Sequence, residues 1–190
     1  MSDLPKVKAQ SAGELLQHFE LSDESENIAS ADDSPMLAIE KLVDTENYHD
    51  AVTMLAHALP KREAIWWACL STKKTMDKAI ELDCAAIEAA ELWVRAPNEP
   101  NRQSVQKMSA LAKNKTAAGW VATAANWCTG NMADDGEVEV PPPDFLYAHA
   151  VAASITLAAV AADPEEITHN YQLFIRIGFD LASGGSGQVE

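Results

Sequence analysis

The side chains that could move protons, attack carbonyls or hold metals begin with five histidines, His18, His49, His57, His149 and His169, and three cysteines, Cys69, Cys84 and Cys128. Protein metal sites built from such residues use short, repeated spacings such as HExxH, CxxC or closely paired Cys and His. Those three spacings do not occur here, so neither a metal site nor a bound cofactor is expected. A histidine becomes a general base only beside a positioned partner, and the sequence assigns no catalytic residue. Cys69 with His57 is the nearest approach to a nucleophile pair. Cys69 follows Trp66, Trp67 and Ala68, however, and apolar surroundings keep a thiol protonated. All three cysteines therefore read as small core residues. Their odd number, with no disulfide framework, fits a reducing cytoplasm. Glu14, Glu63, Glu88 and Glu91 read as solvated helix faces. The GGSG of the tail, residues 184–187, lacks the strand before it and the helix after it that a phosphate loop requires.

A second chemistry, partner recognition, is suggested by Leu59 to Cys69, LPKREAIWWAC. Basic residues open a helix there and two tryptophans follow within its first turns. Adjacent helical residues point about 100° apart, so one ring enters the core while the other sits at its edge. Arg and Trp are over-represented among interface hot spots. Lys61, Arg62, Trp66, Trp67, Trp93 and Arg95 are accordingly the candidate protein-binding residues. The competing reading packs both rings inside with Trp93, Trp120 and Trp127, as large aromatics are buried on average.

The elements that must position these residues are helical throughout. No segment sustains the alternation of a half-buried strand, and the fold class is all-α: an irregular bundle of about nine helices, with stacked helical hairpins as the alternative. A short helix runs from Ser11 to about Phe19, with Ser11 and Glu14 in capping-box register. The following LSDESENIASADDS has too few apolar residues to offset its ordering entropy and reads as a flexible connection. Ser34-Pro35 opens a helix with Met36, Ile39, Leu42 and Val43 on one face. Another starts near Thr45 or Glu46, and Pro60 separates it from the tryptophan helix. Glu81 to Val94 has a small-residue face, Asn98 or Asn101 caps the next helix, and Thr116 caps AAGWVATAANWC. The stretch from Met132 to Pro143 is a loop stiffened by three prolines. Asp163-Pro164-Glu165-Glu166 starts the last helix, and SGGSGQVE is a frayed tail. These signals divide the chain into 1–34, a short helix with an acidic segment, a helical domain at 35–183, and a tail at 184–190.

Charge narrows the partners. The formal net charge is −15, which opposes phosphate neutralisation and disfavours nucleic acid and anionic membrane surfaces. MSDLPKVKAQ lacks the basic-then-apolar layout of a secretory signal, so a cytoplasmic protein is expected. The run from Ala148 to Ala162 contains His149 and Ser154 and falls short of the roughly 20 apolar residues a bilayer demands. It reads as a buried core helix with no membrane insertion.

In order, ALPKREAIWWAC (58–69), AAELWVRAPNEPNR (89–102), AAGWVATAANWCTGN (117–131) and VPPPDFLYAHAVAASITLAA (140–159) resemble a bacterial all-helical domain family of unknown function encoded near type VI secretion genes. The resemblance spans about residues 35 to 183 and brings no catalytic residues. It implies an accessory adaptor or chaperone whose protein partner is a secretion effector or spike component. An immunity-type inhibitor of a basic toxin, drawn by the acidic charge, and an enzyme with an unfamiliar helical active site are the alternatives.

Overall fold

Short polar side chains fix most of the helix starts. The computed structural model describes residues 4–76, 80–132, 140–161 and 163–189, and these contain nine α-helices and no strand. They are α1 (Ala12–Leu15), α2 (Pro35–Asp44), α3 (Tyr48–Ala58), α4 (Lys61–Lys73), α5 (Glu81–Arg95), α6 (Glu99–Ala112), α7 (Ala117–Asn126), α8 (Leu146–Val160) and α9 (Ile167–Ala182), the last entered through a 3-10 turn at Pro164–Glu166. Ser34, Asn98 and Thr116 accept hydrogen bonds from the amides of Leu37, Asn101 and Gly119, each satisfying an otherwise orphaned first-turn donor. The capping box expected at α1 does not form, as neither Ser11 nor Glu14 makes its half of the reciprocal pair. Glu14 accepts from the Gln10 amide at 3.1 Å, while the Ser11 side chain makes no cap bond, and the helix stops after four residues.

The architecture is a bundle around α8. That helix is apolar on every side, so neighbours must enclose it; α3, α4, α7 and α9 all pack against it. Contacts of α8 with α3 and α4, far from it in sequence, distinguish this bundle from a solenoid, in which each repeat touches its neighbours only. Buried Ala148, Ala150, Val151, Ala152, Ala158 and Ala159 let the surrounding backbones approach. The buried hydroxyl of Ser154 on α8 is matched by Thr72 Oγ1 of α4 at 3.1 Å. On the far side, α5, α6 and α7 pack against one another, and α2 pairs with α3. No helix of the described residues is long and apolar enough to cross a membrane.

α4 and α9 approach closely in the core. Trp67 is fully buried and its indole N–H donates to the Phe174 carbonyl at 2.6 Å. A Cβ added at Gly178 would stand 2.9 Å from the Trp67 ring and 2.6 Å from Leu55, so glycine is required there for packing. Cys69 and Cys128 are buried as expected, whereas Cys84 lies exposed on α5, a correction to its placement in the core. Its helix turns Ala86, Ala89, Ala90 and Trp93 inward and leaves Cys84 on the solvent side.

Two segments outside the helices are tied down by polar contacts. The acidic stretch after α1, read as flexible from its composition, runs through turns that bury Ser25 and Ala29. Ser22 donates to Asp50 on α3 at 2.6 Å, and Lys41 pairs with Asp33 at 2.8 Å. In the tail, read as frayed, the Gly187 amide donates to Asp180 at 2.7 Å and the Ser186 carbonyl accepts from the Trp66 indole at 3.1 Å. The expected proline-stiffened loop falls mostly at 133–139, outside the described residues. At its base the Met132 amide donates to the Val140 carbonyl at 2.8 Å.

The two adjacent tryptophans therefore differ. Trp67→Ala should lose about 3–5 kcal/mol by opening a cavity between α4 and α9, and Trp66→Ala, half-buried at the edge, about 1 kcal/mol. Urea unfolding of both variants checks this, and equal large losses would place both rings in the core.

Candidate binding cleft

The basic and aromatic residues proposed as protein contacts are mostly engaged within the chain. Trp67 and Trp93 are buried, which removes both from any contact surface: each ring turns inward because its helix packs on that face. Arg62 lies on the surface, but its guanidinium donates twice to the Val94 carbonyl, at 2.7 and 3.0 Å, and so closes the C-terminus of α5. Trp66 is held by the tail. Arg95 is exposed, with only a long 3.9 Å pairing to Glu91. Lys61 donates to the Cys128 carbonyl at 2.9 Å and lies 5.8 Å over the Tyr147 ring, and of the six it is the one that lines the cleft at the α3–α4 junction.

That cleft has a volume of about 580 Å³. Its floor is the α3–α4 junction and the start of α8, and its rim is the N-terminal segment carrying Lys6, Lys8, Glu14 and His18. Tyr147 donates to the Leu59 carbonyl at 2.9 Å, which joins α8 to the end of α3, and burial raises its phenol above the usual range. Phe145, the residue before α8, has φ of 67°, a left-handed conformation that is strained for a bulky side chain. Its ring lines the cleft and stacks on His18 at 3.8 Å.

Under this pair lies His57, on the last turn of α3 and 2% exposed. Its ring is walled by Phe19 at 4.6 Å, His149 edge-on at 4.7 Å and Phe145 at 6.1 Å. Nδ1 is 2.8 Å from the Thr53 carbonyl. A carbonyl only accepts, so Nδ1 carries the proton and Nε2 is a bare acceptor. Nε2 is buried with no partner. Burial, reinforced by the nearby His149 and His18, lowers the imidazole pKa to about 4, against the favourable Thr53 bond.

Sequence reasoning missed this convergence of His18, His57 and His149, because no local spacing connects three elements that meet only in the fold. It also passed over two Glu-x-x-His tetrads, Glu46 to His49 and Glu166 to His169, a spacing used by di-metal helical bundles. All four side chains are exposed, at the starts of α3 and α9. Among the described residues no group of three or more His, Cys, Asp or Glu could hold a metal ion. The imagined Cys69 nucleophile is fully buried, and burial pushes its thiol far up.

The fold and the cleft define an all-helical domain whose most conspicuous polar feature is an unmatched acceptor beside lysines. The chain belongs to the family of unknown function DUF6931, whose model matches residues 38–182. No curated protein and no solved structure matches it. The matched region contains His57, Lys61, Phe145, Tyr147 and His149, while Lys6, Lys8, Glu14 and His18 precede it. The family scaffold thus supplies the floor of the cleft, and residues outside it supply the rim.

His57 also makes stability depend on pH. Its folded pKa of about 4 lies below the ordinary 6.5, so between these values the unfolded chain binds the extra proton and stability falls as pH falls. The contribution is complete above pH 6.5 and lost on approaching pH 4. A shift of this size corresponds to about 3 kcal/mol. Urea titrations across this window should show a steeper loss for the native chain than for His57→Gln, which has no proton to take up.

Proposed function

We propose that this chain is a non-enzymatic interaction protein, an adaptor or chaperone for a partner polypeptide, the partner being a cargo or spike component of a type VI secretion system. The cleft over His57 carries this reading. It joins an apolar wall of Leu15, Leu59 and Phe145 to a buried acceptor and to Lys8 and Lys61 facing Glu14, with Lys6 already paired to Glu63. In a chain with 14 Lys and Arg against 29 Asp and Glu, that reversal of charge favours an acidic group on a partner. A few convergent polar groups on an apolar lining are the usual make-up of a recognition site.

Catalysis would need an activated nucleophile or a coupled acid and base. The cleft instead holds a neutral imidazole whose one proton is committed to Thr53, and Cys69 and Cys128 have thiols pushed up by burial. The secretion assignment rests on the resemblance of residues 35 to 183 to a family encoded near such genes. Co-purification of the tagged full chain with the cargo and spike proteins encoded beside it tests the reading. One partner should be retained, and Lys61→Glu should weaken retention. Recovery of none of them, with either partner tagged, would defeat it.

A further inference from the structure

We propose that the His57 cleft is a receptor for the free carboxyl terminus of a polypeptide, the terminal carboxylate lying among the lysines and the last backbone N–H donating to His57 Nε2. This rests on the reading of the chain as a partner-binding protein and names the part of the partner that is held.

Three observations converge on this chemistry. The first is the orphaned acceptor. Nδ1 is turned back onto its own helix, so Nε2 lies on the far side of the ring, away from the α3 backbone. His57 lines this cleft and not the neighbouring one bounded by Phe19, His49, Asp50 and His149. A buried acceptor without a donor costs about 1–3 kcal/mol, which a ligand N–H would recover. His18, exposed on the turn after α1, is the side chain that yields to admit it.

The second observation is the charge. Lys6 is already paired with Glu63 at 2.9 Å. Lys8 and Lys61 then stand against Glu14 alone among the charged lining residues, a surplus of one positive charge. A monoanion neutralises it, whereas a phosphate dianion would leave the site negative. The third is the apolar wall of Leu15, Leu59 and Phe145 beside these groups, which suits the side chain of a terminal residue. A peptide terminus presents an N–H donor, a single negative charge and a side chain within one residue, and the cleft lining holds a complement to each.

The test uses the full chain labelled with 15N-histidine and three probes: N-acetyl-leucine, N-acetyl-leucinamide and inorganic phosphate. N-acetyl-leucine should shift the His57 Nε2 resonance saturably, and the amide, lacking the charge, should bind about tenfold more weakly. Lys8→Glu, at an exposed position that leaves the fold intact, should weaken the acid severalfold and leave the amide unchanged. Equal affinity for acid and amide, displacement of the acid by phosphate at lower concentration, or a His57 Nε2 that stays fixed would each overturn the proposal. The two readings fail separately. Binding of N-acetyl-leucine with no co-purified partner counts against the adaptor role alone, while a retained partner with no response to N-acetyl-leucine counts against the carboxyl-terminus site alone.

Discussion

A helix with no polar face has to be surrounded, and that requirement on α8 organises the molecule. Its alanines offer little area individually, so their burial contributes chiefly by allowing backbones to come close. α3, α4, α7 and α9 pack against it and leave Leu157 and Val160 exposed toward its end. Gly178 gives Trp67 and Leu55 their room. With its centre thus occupied by small side chains, the bundle places its bulk at seams: Trp67 between α4 and α9, the Tyr48–Tyr171 stack at 5.5 Å between α3 and α9, and the Phe19–His57–Phe145 layer where the N-terminal segment crosses α3 and α8.

The His57 cleft follows from the last of these seams. α3 and α4 are joined by Leu59 and Pro60 alone, so the chain turns sharply and its backbone must find partners from elsewhere. Tyr147 supplies one to Leu59. The turn also leaves His57 at the end of α3 with one nitrogen satisfied by its own helix and the other buried without a partner. Strain at Phe145 and the unmatched Nε2 both tend to destabilise the fold. They fall at one place, where a bound group could relieve them, and scaffolds commonly keep such tensions at their recognition sites.

How much of this was legible in the sequence depended on the range of the interaction. Ser34, Asn98, Thr116 and Asp163 announced helix starts because a cap is decided within four residues. The Ala-rich run gave α8 by composition. The cap at α1 shows the limit of that logic: Ser11 and Glu14 have the right spacing, but Glu14 turns to the Gln10 amide instead and Ser11 makes no cap bond. Cys84 was misplaced because alanine neighbours say little about which side of a helix faces inward. The acidic segment after α1 looked unable to order itself, since hydrophobicity does not register a buried serine or a Ser22–Asp50 bond to a helix further along the chain. Arg62 and Trp66 stand out in the sequence as residue types common at interface hot spots, but the groups they bind are Val94 and Ser186 of the same chain. The meeting of His18, His57 and His149 is wholly tertiary, and nothing local anticipates it.

The exposure of Cys84 gives the molecule an asymmetry of reactivity. Cys69 and Cys128 are enclosed and held as thiols by burial, while Cys84 faces solvent on α5. A thiol-directed reagent applied to the folded chain therefore meets one sulfur. The native sequence already carries a single addressable position for a spin label or fluorophore, on a helix that does not line the His57 cleft.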